Sequence, residues 1–148
     1  ITITNPEMTR FMMNLDNAVD LVMHAFDNGN NGDIFIQKSP AATIKILAEA
    51  LIELYNSNSK IKYIGIRHGE KMYETLVTRE EMIKSEDQGN YFKISADNRD
   101  LNYDQFFSKG TSASSIQEYN SNNTNLLNIK EMKSLLMELP QVKLDLKN

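Results

Sequence analysis

The run Ile34-Phe35-Ile36-Gln37-Lys38-Ser39-Pro40-Ala41-Ala42-Thr43-Ile44-Lys45-Ile46-Leu47-Ala48 moves from a strand-like pattern to a helical one. Ile34-Phe35-Ile36 is a short apolar strand, and Ser39-Pro40 breaks it. Thr43 can cap a helix whose stripe is Ile44, Leu47, Ala48, Leu51 and Tyr55, with Lys45, Glu49 and Glu53 outside. Asn56 to Lys60 reads as a polar turn, and Lys62 to Ile66 as a second strand. Strand, helix and strand joined by short connections predict an α/β unit from Ile34 to Ile66. The crossover is right-handed if the two strands are parallel neighbours.

Towards the start of the chain, Ile1 to Thr4 is a strand stopped by Asn5-Pro6. Asn14 can cap a helix on which Leu15, Ala18, Val19, Val22 and Phe26 recur as a buried stripe, with His24 beside it. Gly29 ends that helix, and Asn30-Asn31-Gly32-Asp33 is a turn. Towards the other end, Arg79 to Lys84 predicts a short charged helix and Tyr91 to Ile94 a strand. Lys109 to Ser115 and Asn120 to Asn125 are polar stretches, the first a flexible segment by composition. Asn128 with Glu131 opens a last amphipathic helix through Ile129, Met132, Leu135, Leu136 and Leu139, ended by Pro140.

With 148 residues, 41% hydrophobic, 24% charged and a net charge of −4, the chain can bury a core as one domain or part of a larger one. Interspersed charge offers no basic face for nucleic acid and no polybasic patch for a membrane. No apolar run has membrane-spanning length. The absence of cysteine excludes disulfides, Cys-type zinc sites and thiol catalysis, and fits a cytoplasmic location. A first residue Ile1, inside a β-branched run, predicts an N-terminus made by truncation or processing.

Chemistry concentrates at Arg67-His68-Gly69-Glu70-Lys71-Met72-Tyr73-Glu74, just after a strand. An arginine followed by a glycine that lets backbone approach closely suits an anion such as a diphosphate, and a solvated charged turn is the competing reading. Glu70 and Glu74, four apart, would share a helical face, but nothing desolvates either for acid–base work. Arg10, among Met8, Phe11 and Met12, either holds an anionic partner or carries its head to water along a packed stem. His24 reads as packed or solvated, and His68 is too isolated for a metal site. There is no glycine-rich phosphate fingerprint, no P-loop and no tyrosine followed four residues on by lysine. The sequence therefore offers no cofactor site, no metal site and no catalytic group of its own.

Met8-Thr9-Arg10-Phe11-Met12-Met13, Gly32 to Lys38 and Arg67 to Glu74 resemble, in order and spacing, the capsular-polysaccharide nucleotide-sugar epimerases and dehydratases. These are UDP-glucose 4-epimerase and UDP-N-acetylglucosamine 4,6-dehydratase types within the extended short-chain dehydrogenase/reductase superfamily. Arg99 to Tyr103 and Tyr119 to Thr124 resemble the C-terminal extension of the bacterial capsule enzymes. The resemblance implies an N-terminal Rossmann half with NAD or NADP and a Tyr/Lys pair, and a smaller C-terminal region that holds the UDP-sugar. In such an enzyme hydride leaves sugar C4, and the 4-keto intermediate is either reduced on its other face or loses water across C5 and C6.

This chain resembles the second region alone, so the implied fold is an α/β (α+β) fragment, the substrate-binding region of an extended Rossmann-type enzyme with the cofactor half absent. Residues 1–95 would be the UDP-sugar-binding region and 96–148 the extension with a terminal helix. Carried over by motif, Arg10 and Arg67 approach the substrate diphosphate and Glu70 the ribose. With the resemblance added, the anion site outranks the solvated turn. The segment alone is expected to be inactive, with a Rossmann half in the same or a partner chain. A separate non-catalytic module and an inactive split-gene remnant are the alternatives. Helices made to pack on a missing half would expose apolar stripes, leaving self-association a risk and oligomeric state open.

Overall fold

A computed structural model describes residues 1–96 and 116–147. The predicted flexible segment Lys109 to Ser115 and the motif Arg99 to Tyr103 lie outside the described residues. The chain divides into two compact units, each discontinuous in sequence. Unit 1 is Ile1–Asn14, Ser39–Glu74 and Asn120–Asn148, and unit 2 is Leu15–Lys38 and Thr75–Tyr119.

Unit 1 carries β1 (Thr2–Ile3), β2 (Thr9–Phe11), β4 (Ala41–Thr43), α2 (Ile44–Leu54), β5 (Lys62–Tyr63), α4 (Ile129–Glu138) and α5 (Pro140–Asp145). β1 pairs in parallel with β5, and β2 pairs antiparallel with β4 in the register Thr9–Thr43, Arg10–Ala42 and Phe11–Ala41. α2 starts where expected, because the Thr43 hydroxyl accepts from the Ile46 N–H. α4 starts with a complete capping box: Asn128 accepts from the Glu131 N–H while Glu131 accepts from the Asn128 N–H. Leu139 closes α4, and Pro140 opens α5 at a position where its missing N–H costs nothing. The core forms where α2 meets α4: Ala42, Ala50, Leu127 and Met132 are buried, with Met12, Ile46, Leu47, Leu135 and Leu136 packed around them.

Unit 2 carries α1 (Leu15–Asn28), β3 (Ile34–Gln37), β6 (Thr75–Val77), α3 (Arg79–Lys84), β7 (Ser85–Asp87) and β8 (Tyr91–Ile94). β8 is the centre of an antiparallel three-stranded sheet between β3 and β7. Asp33, at the turn before β3, accepts from the Asn30 N–H and binds Lys93 at 2.9 Å, with side chains 5% and 12% exposed. The Asn30 hydrogen bond first, then Lys93, lower the Asp33 carboxyl from 3.8 to about 2.

Three expectations are corrected. First, the strands at Ile34 and Lys62 are not neighbours: β3 pairs antiparallel with β8 and β5 pairs with β1. No right-handed crossover therefore joins them. Between them lies β4, hidden from the sequence by Ser39-Pro40 and by two alanines of low strand preference. The second strand also stops at Tyr63 rather than running to Ile66.

Second, α1 buries none of its residues. Leu15 and Phe26 are 79% and 80% exposed, and Val19, Val22 and Met23 are exposed with them. Its covered face is the milder one, with Ala18, Leu21, His24 and Ala25 half-buried. His24 stacks on Tyr91 at 4.0 Å and meets the edge of Phe35, so it packs. Third, Tyr55, assigned to the α2 stripe, is 41% exposed, and its hydroxyl donates to Asp145.

Candidate functional site

Arg10, Arg67 and Glu70 all belong to unit 1. β2 fixes Arg10, and a backbone hydrogen bond ties β2 to the segment from Arg67 to Glu74. The Thr9 N–H donates to the Met72 carbonyl at 2.9 Å, and Arg10 Nη2 donates to the Lys71 carbonyl at 2.9 Å. Arg10 Nη1 donates to the Thr9 carbonyl at 2.6 Å, and Nε lies 3.6 Å from a Glu74 carboxylate oxygen. Nη2 also lies 3.0 Å from the Met8 sulfur. Apolar neighbours and a specific acidic partner thus come together at Arg10. The head is neither unpaired nor lost to water, its side chain being 28% exposed.

The Arg67 stretch is a turn, not a helix. The Glu70 N–H donates to the Arg67 carbonyl at 3.1 Å, and Gly69, at φ 85, takes the third position, where a positive φ is required. Glu70 reaches back, and its Oε2 accepts from the Arg67 N–H at 3.0 Å. The spacing Arg-x-Gly-Glu is therefore explained locally. Glycine supplies the backbone angle, and glutamate occupies the N–H that the turn leaves over. Glu70 and Glu74 do not share a face: the first closes the turn and the second meets Arg10.

Glu70 is half-buried, while Arg67, His68 and Lys71 are exposed. Among the described residues, the side chains of Arg67, His68 and Lys71 make no hydrogen bond or ion pair. The turn therefore presents an arginine and a lysine, both free, beside an arginine already held in place. Such a group can receive a doubly charged anion, with planar guanidinium matching phosphate oxygens.

One contributor was not foreseen. Within the polar stretch Asn120 to Asn125, Asn120 and Ser121 are buried, Ser121 fully. Ser121 Oγ lies 2.8 Å from Thr9 Oγ1, accepts from the Glu74 N–H at 3.0 Å, and donates to the Thr9 carbonyl at 3.2 Å. The Ser121 N–H donates to the Glu74 carbonyl at 2.8 Å. Asn120 holds the turn by accepting from the N–H groups of Asn122 and Asn123. The signal available in the sequence was the run Asn-Ser-Asn-Asn-Thr, residue types that bond their own backbone.

The chain has counterparts among known proteins. A family described as polysaccharide biosynthesis protein matches residues 1–96, and one described as polysaccharide biosynthesis protein C-terminal matches residues 97–143. The chain is 54% identical to a UDP-glucose 4-epimerase of Rickettsia bellii and 52% identical to one of Rickettsia felis. In each case all of this chain aligns, spanning 44% of the relative's length. The X-ray structure of Pen from Bacillus thuringiensis matches with a TM-score of 0.75 at 31% identity, over 93% of this chain and 39% of that one.

Proposed function

The chain belongs to the polysaccharide biosynthesis protein family, and we propose that it is the UDP-sugar-binding portion of a nucleotide-sugar 4-epimerase or 4,6-dehydratase. In this reading residues 1–95 hold the nucleotide sugar and 96–148 form an extension. The observation that carries it is the joining of β2 to the Arg67 turn, which puts Arg10 and Arg67 in one segment pair of unit 1. Relatives named UDP-glucose 4-epimerase support the substrate class.

Arg67 contacts the diphosphate directly. Arg10, partly committed to Glu74, supplies the second positive charge. Glu70 keeps one oxygen on the Arg67 N–H and offers the other to ribose hydroxyls.

A nicotinamide cofactor would supply hydride transfer at sugar C4 in such an enzyme. Among the described residues no glycine-rich turn opens a helix on which that group's pyrophosphate could rest. The helices α2, α3 and α4 begin with side-chain caps from Thr43, Thr78 and Asn128, which occupy the N–H groups a pyrophosphate would need. The positive-φ glycines at 32, 65, 69 and 89 open no helix. In this reading the cofactor and the catalytic Tyr/Lys pair belong to a Rossmann half, in the same or a partner chain, and this chain's task is to bind and orient substrate.

Calorimetric titration of UDP into the chain tests the reading. Saturable binding is expected, weakened by about 1–3 kcal/mol in Arg10→Ala and in Arg67→Ala. Unchanged affinity in both variants would refute it.

A further inference from the structure

We infer that Ser121 is a positioning residue for Arg10, so that the stretch after Tyr119 sets the affinity of the diphosphate site; this rests on the UDP-binding reading above. The buried hydroxyl of Ser121 has three neighbours and can satisfy all of them at once. It donates its proton to the Thr9 carbonyl and accepts from the Glu74 N–H and the Thr9 hydroxyl. Thr9 and Glu74 both bear on Arg10. The Thr9 carbonyl is the acceptor on which Arg10 Nη1 rests, and Glu74 is the carboxylate facing Nε. Ser121 thus bonds one support of the guanidinium, the Thr9 carbonyl, and the backbone of Glu74, whose side chain is another, without touching the guanidinium itself.

Burial makes the arrangement stringent. Ser121 is 0% exposed and Thr9 2% exposed, so water cannot replace a missing hydroxyl freely. In Ser121→Ala the Glu74 N–H loses its acceptor and the Thr9 carbonyl loses one of its two donors. The backbone of the Arg67 to Glu74 segment then keeps its tie to β2 through the Met72 carbonyl, but not at Glu74 through the hydroxyl. The Arg10 head loosens although every charged residue remains present. Nothing in a sequence comparison of charged residues would find this position.

A double-mutant cycle on the full 148-residue chain tests the inference, using UDP as titrant and thermal unfolding as a separate readout. Ser121→Ala is expected to weaken UDP binding about tenfold in the wild-type background, an effect of about 1.4 kcal/mol. In the Arg10→Ala background the same substitution should leave UDP affinity unchanged, while the fall in Tm persists in both backgrounds. Equal weakening in both backgrounds would overturn the inference, because the serine would then act on the site as a whole. Weakening by Arg10→Ala and Arg67→Ala with none by Ser121→Ala would overturn it too and leave the UDP reading intact. If neither arginine matters, or wild type does not bind UDP, the UDP reading falls and the inference with it. Should Ser121→Ala fail to fold, Ser121→Cys, which keeps the shape but replaces the hydroxyl with a weak donor and acceptor, carries the same cycle with the same criteria.

Discussion

Truncating Met132 to alanine should cost unit 1 about 3 kcal/mol. Met132 is the one fully enclosed large side chain of α4, at 0% exposure. Its neighbours Ala42 and Ala50 are also at 0% and have no atoms with which to fill the space left by a thioether. Met12 and Leu135, only partly buried, can move inward a little. The expected loss therefore falls in the middle of the range of about 2–5 kcal/mol seen for such truncations. With a urea dependence of about 2 kcal/mol per molar, the midpoint of unfolding falls by about 1.5 M. Far-ultraviolet circular dichroism against urea measures this, with Met132→Leu as a volume-conserving control losing less than about 1.5 kcal/mol. A loss below about 1 kcal/mol for Met132→Ala would mean that α4 does not close the core.

Asn128→Ala should lower stability by about 1 kcal/mol by removing one half of the α4 capping box, readable in the same urea series. Gly69→Ala should cost about 1–2 kcal/mol through its positive φ alone, since an added Cβ meets nothing within 4 Å. UDP affinity should fall with it, and an unchanged affinity would separate the turn from the site. Asp33 is lowered from 3.8 to about 2 in the folded chain, so its contribution to stability is complete above pH 3.8 and disappears as pH falls towards 2. In an acid titration followed by circular dichroism, Asp33→Asn should flatten the loss of stability over that interval. Superimposable slopes would refute the assignment.

Elements whose ends are chemically marked were legible in the sequence. Thr43, Asn128 with Glu131, and Pro140 delimit α2 and α4 as read. Partnership was not legible. β3 finds β8 some sixty residues on, and the pairing register Ile34–Ile94 to Gln37–Tyr91 depends on packing that no local pattern encodes. On α1 the most hydrophobic stripe was taken as the inner one, yet the covered face is built from Ala18, Leu21, His24 and Ala25. Hydrophobicity ranks faces by greasiness, whereas contact selected the face whose smaller residues and ring fit β3. At the site, Arg67, Gly69 and Glu70 announce their turn by spacing. Ser121 looks like any polar loop residue until its burial is known.

The discontinuity of unit 1 bears on how the molecule comes off the ribosome. Arg10 and Arg67 are polymerised long before Ser121, which bonds the Thr9 carbonyl on which Arg10 rests, and Met132, which closes the core of their unit. At about 5–20 residues per second, about 6 to 26 seconds separate the first β2 residue from the last helix. During that interval β2 and β4 can pair, but α2 has no α4 to cover it. A premature stop anywhere in residues 97–119 would leave Arg10, Arg67 and Glu70 translated without Ser121 or α4. Loss of function from such a lesion would register as a nascent chain that never completes unit 1, not as a missing ligand contact.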